Sequence, residues 1–276
     1  MGMRITTNVA AINTQRNLIG SQRNIQNSMA QLSSGSRINK SADDAAGLAI
    51  SENMKAQMRS SAQARRNAND GISLVQTAEG ALAEISNIST RMRELGIQAA
   101  SDTVGARERG YIDLEIQQLK GEMDRIANTA SWNSVKLLDG TTPVFDFQVG
   151  LYATDDDVIS FDSGGNVATL QALGLAELDF STKEGARMAI DTLDEAQGTI
   201  NGIRSNIGAL QNRLTSTVDT LAVTEENLAA ANSRIRDTDI AAVSSEMARN
   251  SVLLQAGTAT LAQANQTSNL ALKLLS

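Results

Sequence analysis

Both ends of the chain carry apolar residues at intervals of seven, in segments that contain no proline. A stripe this narrow predicts a helix that pairs with another helix, because the helix that carries the stripe cannot bury it. We call the principal residues of the two stripes the predicted seam. They are Ile5, Ile12, Leu18, Ile25 and Leu32 at one end, and Ile240, Met247, Leu254, Leu261 and Leu275 at the other. Each end is therefore expected to dock on a second helix, either from this chain or from another copy.

Polar and small residues interrupt these stripes. Ser268 falls on the C-terminal series itself, and Asn250 falls on the series beside it. A polar residue in a helix-pairing stripe fixes the alignment of the two helices but lowers their stability. The ends are therefore predicted to be poorly ordered alone and to fold on assembly.

The composition excludes several classes of function. The chain contains neither histidine nor cysteine, which rules out serine–histidine and cysteine–histidine catalysis, disulfides and histidine-based zinc sites. The net charge of −7 argues against a nucleic acid partner, and no apolar run approaches the roughly 18 residues of a membrane span. Asp155, Asp156 and Asp157 favour a solvated turn over a metal site. We therefore predict a protein that is not an enzyme, has no cofactor and does not insert into a membrane.

No secretory leader is visible at the N-terminus, because no continuous apolar stretch follows Arg4. If the protein leaves the cell, the expected route does not cleave a leader.

The chain is expected to be mainly α: an elongated antiparallel bundle or coiled coil of long helices, with a small β-hairpin insert. Its five expected segments are 1–41, 42–139, 140–180, 181–236 and 237–276. Helical periodicity and stop signals predict helices over the following ranges. These ranges are 3–34, 42–100, 103–129, 182–236 and 240–275.

Local signals refine this outline. Alternating apolar and polar residues over 144–149 and 158–161 predict one β-hairpin, whereas 132–139 is predicted to be a loop. Capping boxes are predicted at Ser41 and Ser181, and Met188 is predicted to belong to the apolar stripe of the fourth helix.

One charged cluster on the second helix contains Arg91, Arg93, Glu94 and Leu95. Taken by itself, the cluster favours an ordinary salt-bridged helix face with one core leucine over a partner-binding patch.

Six long motifs, in order along the chain, resemble those of bacterial flagellins over nearly the whole length. The motifs are Ile5–Ala11, Leu32–Asn39, Asp43–Ile50 and Asn67–Gly80 in the N-terminal half, and Ser233–Asp239 and Gln255–Gln266 in the C-terminal half. The resemblance implies a structural subunit of the flagellar filament. Segments 1–41 and 237–276 would form the inner tubes, and the long-helix segments would form the next layer. With only residues 140–180 between those long-helix segments, the chain resembles a minimal flagellin without outer domains.

The resemblance also implies partners and a location. The partners are other flagellin copies, an export chaperone that covers the C-terminal helix, and the filament cap and hook-junction proteins. Export would use the flagellar type III apparatus. The filament would be extracellular, with a sheathed or a periplasmic filament as alternatives. A hook–filament junction protein of the same family is the alternative function.

Flagellins that stimulate Toll-like receptor 5 use an arginine, a leucine one helical turn further on and a glutamate on the next helix. These residue types match at Arg91, Leu95 and Glu115. The resemblance therefore implies a receptor patch at these three residues.

Overall fold

The computed structural model describes the backbone of residues 7–141 and 144–273, and the side chains of these residues up to 266. Five helices make up most of it, and they pack antiparallel. The helices are α1 (Val9–Ser34), α2 (Ala45–Ala99), α3 (Ala106–Thr129), α4 (Lys183–Arg236) and α5 (Ile240–Lys273). The mainly α fold predicted from the periodicity is confirmed.

Four short strands lie between α3 and α4 and form two antiparallel two-stranded sheets. The strands are β1 (Ser131–Trp132), β2 (Val135–Lys136), β3 (Val144–Gln148) and β4 (Val158–Asp162). The β3–β4 hairpin was predicted. Its Phe145 and Phe161 are paired across the strands, with ring centroids 6.2 Å apart.

The β1–β2 hairpin lies in a segment that was predicted to be a loop, so that prediction is wrong. Asn133 and Ser134 connect the two strands with φ angles of 48° and 67°. Two successive positive φ angles are typical of the type I′ turn, which matches the twist of paired strands. The turn contains no glycine, which is why the sequence pattern did not indicate it.

The chain divides into two compact units: residues 1–58 with 226–276, and residues 59–225. Helices α2 and α4 contribute residues to both units. The division into five segments stays a prediction.

Helix α1 begins later than predicted. The Asn8 side chain accepts a hydrogen bond from the N–H of Ala11 at 3.1 Å, which caps the helix and places its first residue at Val9. Of the predicted helical residues 3–8, only the last two are described, and both are non-helical.

The predicted capping boxes name the wrong caps. Asp44, rather than the serine that begins the predicted box, accepts from the N–H of Gly47 at 2.8 Å. At the start of α4, Thr182 rather than Ser181 accepts from the N–H of Gly185 at 3.1 Å. In both cases the short polar side chain immediately before the helix reaches the third amide of the first turn.

The 59–225 unit contains a continuous apolar core, to which α2, α3, α4 and the segment between α3 and α4 contribute. Its largest fully buried side chains include Leu82, Ile116, Phe161 and Phe180. Burial of one such side chain stabilises the fold by roughly 1.5–3 kcal/mol. Met188 was predicted to belong to this core but is exposed, so that prediction is wrong.

Ion pairs link the helices of this unit at its surface. Arg93 on α2 bonds Asp194 on α4 at 2.5 Å, and Lys183 bonds Asp102 at 2.6 Å. Each pairing lowers the pKa of the carboxyl group below its ordinary value, chiefly through the hydrogen bond that the cation donates. Because these side chains remain well exposed, each pair contributes little to stability at neutral pH.

These shifts predict a loss of stability in acid. A carboxyl group whose pKa is lowered in the folded state stabilises that state above the unfolded pKa, near pH 4, and loses this contribution as pH falls through the folded pKa. We expect the loss of these two ion pairs to lower the thermal midpoint of the 59–225 unit modestly below about pH 4. Calorimetry between pH 7 and pH 3 measures this. The double variant Asp102→Asn/Asp194→Asn should show a shallower fall than Asp191→Asn, a change at another exposed aspartate of α4. Equal slopes for the two variants would contradict the assignment.

Candidate assembly surface of the terminal helices

Helices α1 and α5 pack against each other in antiparallel orientation, and we call them the terminal pair. Each helix turns one row of residues, all buried or half-buried, toward the other. We call these rows the contact face. They are Ala11, Thr14, Leu18, Ser21, Ile25, Ser28 and Leu32 on α1, and Val243, Met247, Asn250, Leu254, Gly257, Leu261 and Ala264 on α5. The spacing alternates between three and four residues, which is the pattern of helices that pair along a seam.

Three contacts join the terminal pair in its observed alignment. A Cβ atom at Gly257 would lie 2.7 Å from Cδ2 of Leu18, so the absence of a side chain lets the leucine pack against the backbone of α5. Toward one end, the Asn8 side chain donates to the carbonyl of Ala264 at 2.9 Å. Toward the other end, the N–H of Thr238 donates to the carbonyl of Gly35 at 3.0 Å.

The contact face is partly polar. Asn250 and Ser28 are both buried in it. The Asn250 side chain donates to the carbonyl of Glu246 in its own helix at 3.0 Å rather than adding a bond across the pair. Much of the contact face is also small, with Ala11, Gly257 and other short side chains, so the apolar area that the pair buries is limited.

The predicted seam and the contact face differ. Ile12 is 49% exposed and Ile240 is 63% exposed, so both lie off the contact face. Ile12 follows Ala11 by one residue, a rotation of about 100° around the helix, which carries it to the far side of α1. Ile5 and Leu275 lie outside the described residues, as does the side chain of Ser268.

Large apolar side chains therefore remain exposed on the terminal pair. Ile19 is 53% exposed and Val252 is 64% exposed, and Leu253 is exposed beside Val252. With Ile12, we call these four the outer residues. Counted at about 100° per residue, Ile12, Ile19 and Val252 point away from the contact face. Ile12 and Ile19 therefore lie on one outer side of the terminal pair and Val252 lies on the opposite side, so exposed apolar residues occur on two outer faces of the pair.

The predicted receptor residues lie on α2 and α3. The Arg91 guanidinium bonds the carboxylates of Glu94 at 3.1 Å and Glu115 at 3.0 Å, and these acids raise the pKa of Arg91. The three side chains are about half exposed. Leu95, by contrast, is 3% exposed and belongs to the core. The structure thus brings Arg91 and Glu115 together at the surface and places the leucine beneath them.

The acidic turn at residues 155–157 and the long helices are the other candidate sites in the described residues. Asp155–Asp157 forms a single 3-10 turn in which Asp157 accepts from the hydroxyl of Thr154 at 2.7 Å. The described part of the chain contains no group of three or more acidic residues placed to hold a metal ion. No helix in that part is both long enough and apolar enough to span a membrane.

Comparison with known proteins extends the resemblance to nearly the whole chain. Residues 5–142 match the family model of the bacterial flagellin N-terminal helical region, and residues 190–275 match that of the C-terminal helical region. The chain is 44% identical to a flagellin of Halalkalibacterium halodurans, over 99% of this chain and 100% of that protein. It is 42% identical to a flagellar filament 33 kDa core protein of Treponema phagedenis, again over 99% and 100%.

A solved structure gives the same picture. The Bacillus cereus flagellin superposes with a TM-score of 0.51 at 31% identity, covering 60% of this chain and 94% of that one.

Proposed function

Because this chain belongs to the bacterial flagellin family and is a structural, non-enzymatic subunit of the flagellar filament, we propose that the terminal pair is the element through which its copies assemble. The chain polymerises with other flagellin copies. In the proposed arrangement the terminal pair forms the innermost layer of the filament.

The observation that carries this proposal is the exposure of the outer residues. The contact face is satisfied within one subunit, whereas Ile12, Ile19, Val252 and Leu253 remain 48–64% exposed in a single chain. Contact with neighbouring copies would remove them from water, and this burial supplies a driving force for assembly.

The composition of the contact face supports the same role. A pair joined mainly by small and polar side chains is weakly held by itself, and its order depends on further contacts. Neighbouring copies bind only the ordered form of the pair, so assembly stabilises it by mass action. The seam residues Leu18, Leu254 and Leu261 hold the pair together in this account, and the outer residues join copies.

The role of filament subunit is favoured over that of a hook–filament junction protein. Both classes would share the terminal helices. The two relatives described above match this chain along their entire length, and they are a flagellin and a flagellar filament core protein.

The remaining partners follow from the exposed residues of α5. We propose that an export chaperone covers Val252 and Leu253 before assembly, since two adjacent large apolar side chains promote aggregation of free subunits. The cap and hook-junction proteins are proposed to bind the same ends of the chain at the two ends of the filament.

The proposed receptor patch consists of Arg91 and Glu115 at the surface, supported from below by Leu95. We expect Arg91→Ala to reduce stimulation of Toll-like receptor 5 by about tenfold or more, because arginine is among the residue types that dominate the binding energy of protein interfaces. A reporter-cell titration with purified monomer measures this. Arg125→Ala is the matched control, since Arg125 forms a similar exposed pair with Glu122 elsewhere on α3. Equal potency of the two variants would rule out the patch.

Seeded polymerisation tests the proposed function as a whole. Purified monomer, mixed with sonicated filament fragments and precipitating salt, should form tubular filaments visible by negative-stain microscopy. Failure to elongate any seed under any of these conditions would refute the assembly role.

A further inference from the structure

The connector from α1 to α2 and the connector from α4 to α5 are bonded to each other. Ser36 and Asp237 form an isolated antiparallel bridge. Beside it, the N–H of Thr238 donates to the carbonyl of Gly35, the residue that ends α1 with a φ of 67°. The C-terminal end of α1 is thus joined to the segment that leads into α5.

Arg37 lies on the other side of this bridge and occupies the end of α4. Its backbone N–H donates to the carbonyl of Arg236 at 2.6 Å, and its guanidinium Nη2 donates to the carbonyl of Ile235 at 2.6 Å. Carbonyls in the last turn of a helix have no partner within that helix. A cation at this position also suits the partial negative charge of the helix end.

Arg37 is itself held on both sides. Its carbonyl accepts from the Gln31 side chain of α1 at 3.1 Å. Just after it, the Asp43 carboxylate accepts from the N–H groups of Asn39 at 3.0 Å and Lys40 at 2.9 Å, which fixes the turn that leads into α2. Arg37 therefore bonds both the end of α1 and the end of α4, and the turn that leads into α2 follows it closely along the chain.

The contact face alone does not define a single alignment. Its residues recur every seven positions, so a shift of α5 by seven would again place apolar and small residues opposite one another. Such a shift moves the helix by about 10 Å. The connectors oppose it, because α1 ends at Ser34 and α5 begins at Ile240, each within a few residues of the bonded Arg37 and Arg236.

We propose that Arg37 is a positioning residue that sets the register in which α1 and α5 pair. The effect of this register on assembly rests on the proposed function. Copies pack regularly only if Ile19 and Val252 have the same offset along the helix axes in every subunit. In a subunit whose α5 is shifted by seven residues, Val252 would lie about 10 Å from its position in the observed register.

Engineered cysteines can read the register, since the chain has no cysteine of its own. The pair Leu18→Cys/Gly257→Cys reports the observed register, and truncating the leucine also makes room for the new Cβ atom. The pair Leu18→Cys/Ala264→Cys reports a shift of seven residues, because a disulfide requires Cα atoms within about 7 Å. Oxidised full-length monomer is scored for intrachain crosslinks by mobility and mass.

With Arg37 present, only the first pair should crosslink efficiently. In the Arg37→Ala background, we expect the yield of the first pair to fall by about threefold and the second pair to gain crosslinks, because the guanidinium bond to the carbonyl of Ile235 is lost while the backbone bond to Arg236 remains. Arg23→Ala is the matched control, at an exposed arginine within α1. Arg37→Lys keeps the charge but lacks the planar guanidinium group, so its crosslink yields should lie between those of the Arg37 and Arg37→Ala backgrounds. This variant keeps the test possible if the alanine variant does not fold.

An Arg37→Ala protein that crosslinks as efficiently in the observed register as the Arg23→Ala protein would overturn the proposal. The assay uses monomer and needs no filament, so its failure is separate from failure of the proposed assembly role. Loss of register together with normal polymerisation would confirm the positioning by Arg37 and refute its importance for assembly.

Discussion

Deletion of residues 240–276 is expected to abolish polymerisation while the 59–225 unit stays folded. The deletion removes α5, and with it one half of the contact face and the outer residues Val252 and Leu253. The apolar core of the 59–225 unit contains no residue of α5, so that unit retains its buried side chains. Binding of an export chaperone should be lost together with polymerisation.

The measurement is seeded elongation, with circular dichroism and the thermal midpoint as controls for folding. The truncated chain should neither elongate seeds nor form filaments spontaneously, and it should keep a cooperative unfolding transition. Full-length chain from the same preparation provides the positive control. Elongation of seeds by the truncated chain would show that the terminal pair is not the assembly element.

Substitution of Ile19 by aspartate is expected to block assembly without unfolding the subunit. Ile19 is 53% exposed and lies off the contact face, so the free subunit can accept a charge there. In the filament the same carboxylate would be buried against a neighbour without a partner, which is strongly unfavourable. We expect the critical concentration for polymerisation to rise by at least about tenfold.

The matched control is Asn17→Asp, which adds the same charge at a polar exposed position of α1 two residues away. Sedimentation of seeded reactions over a range of concentrations gives both critical concentrations, and crosslinking of the cysteine pair at 18 and 257 confirms that the terminal pair remains intact. If both variants polymerise at the same concentration as the unmodified chain, Ile19 does not join copies.

The sequence predicted that the two ends pair, and six of the eight described seam residues lie on the contact face, but it also placed Ile12 and Ile240 in the seam. Ile12 and Ile19 are larger and more apolar than Ala11 and Thr14, yet the smaller residues lie on the contact face. Gly257 on the contact face of α5 lets the two helices approach closely. Helices that approach closely accommodate a row that includes small side chains better than a row made only of large ones. Repeat length is visible in a sequence, whereas the packing distance that selects one row is a property of the folded pair.

Other differences have local causes. The predicted caps were wrong because several short polar residues precede each helix, and only the backbone path decides which of them reaches the first turn. Lys120 occupies a buried position on α3 because the carbonyls of Ala176 and Leu178 accept from its ammonium at 2.7 and 3.3 Å. No pattern in the sequence pairs these residues, which are far apart along the chain.

The predicted receptor patch illustrates the same limit. The sequence placed Arg91, Leu95 and Glu115 within reach of one another, and the structure brings Arg91 and Glu115 into contact. Whether Leu95 is buried depends on how α2 and α3 pack against each other. Because Leu95 is buried, a receptor could contact only Arg91 and Glu115 directly. The interpretation of the cluster as a salt-bridged face with a core leucine is confirmed.

A filament reconstruction at side-chain resolution tests the central claim most directly. We expect α1 and α5 of each subunit to form the innermost layer, with Leu18 against Gly257 within one subunit and Ile19 and Val252 buried against neighbouring copies. A reconstruction in which the terminal pair lies at the filament surface, or in which Ile19 and Val252 remain exposed to solvent, would contradict it.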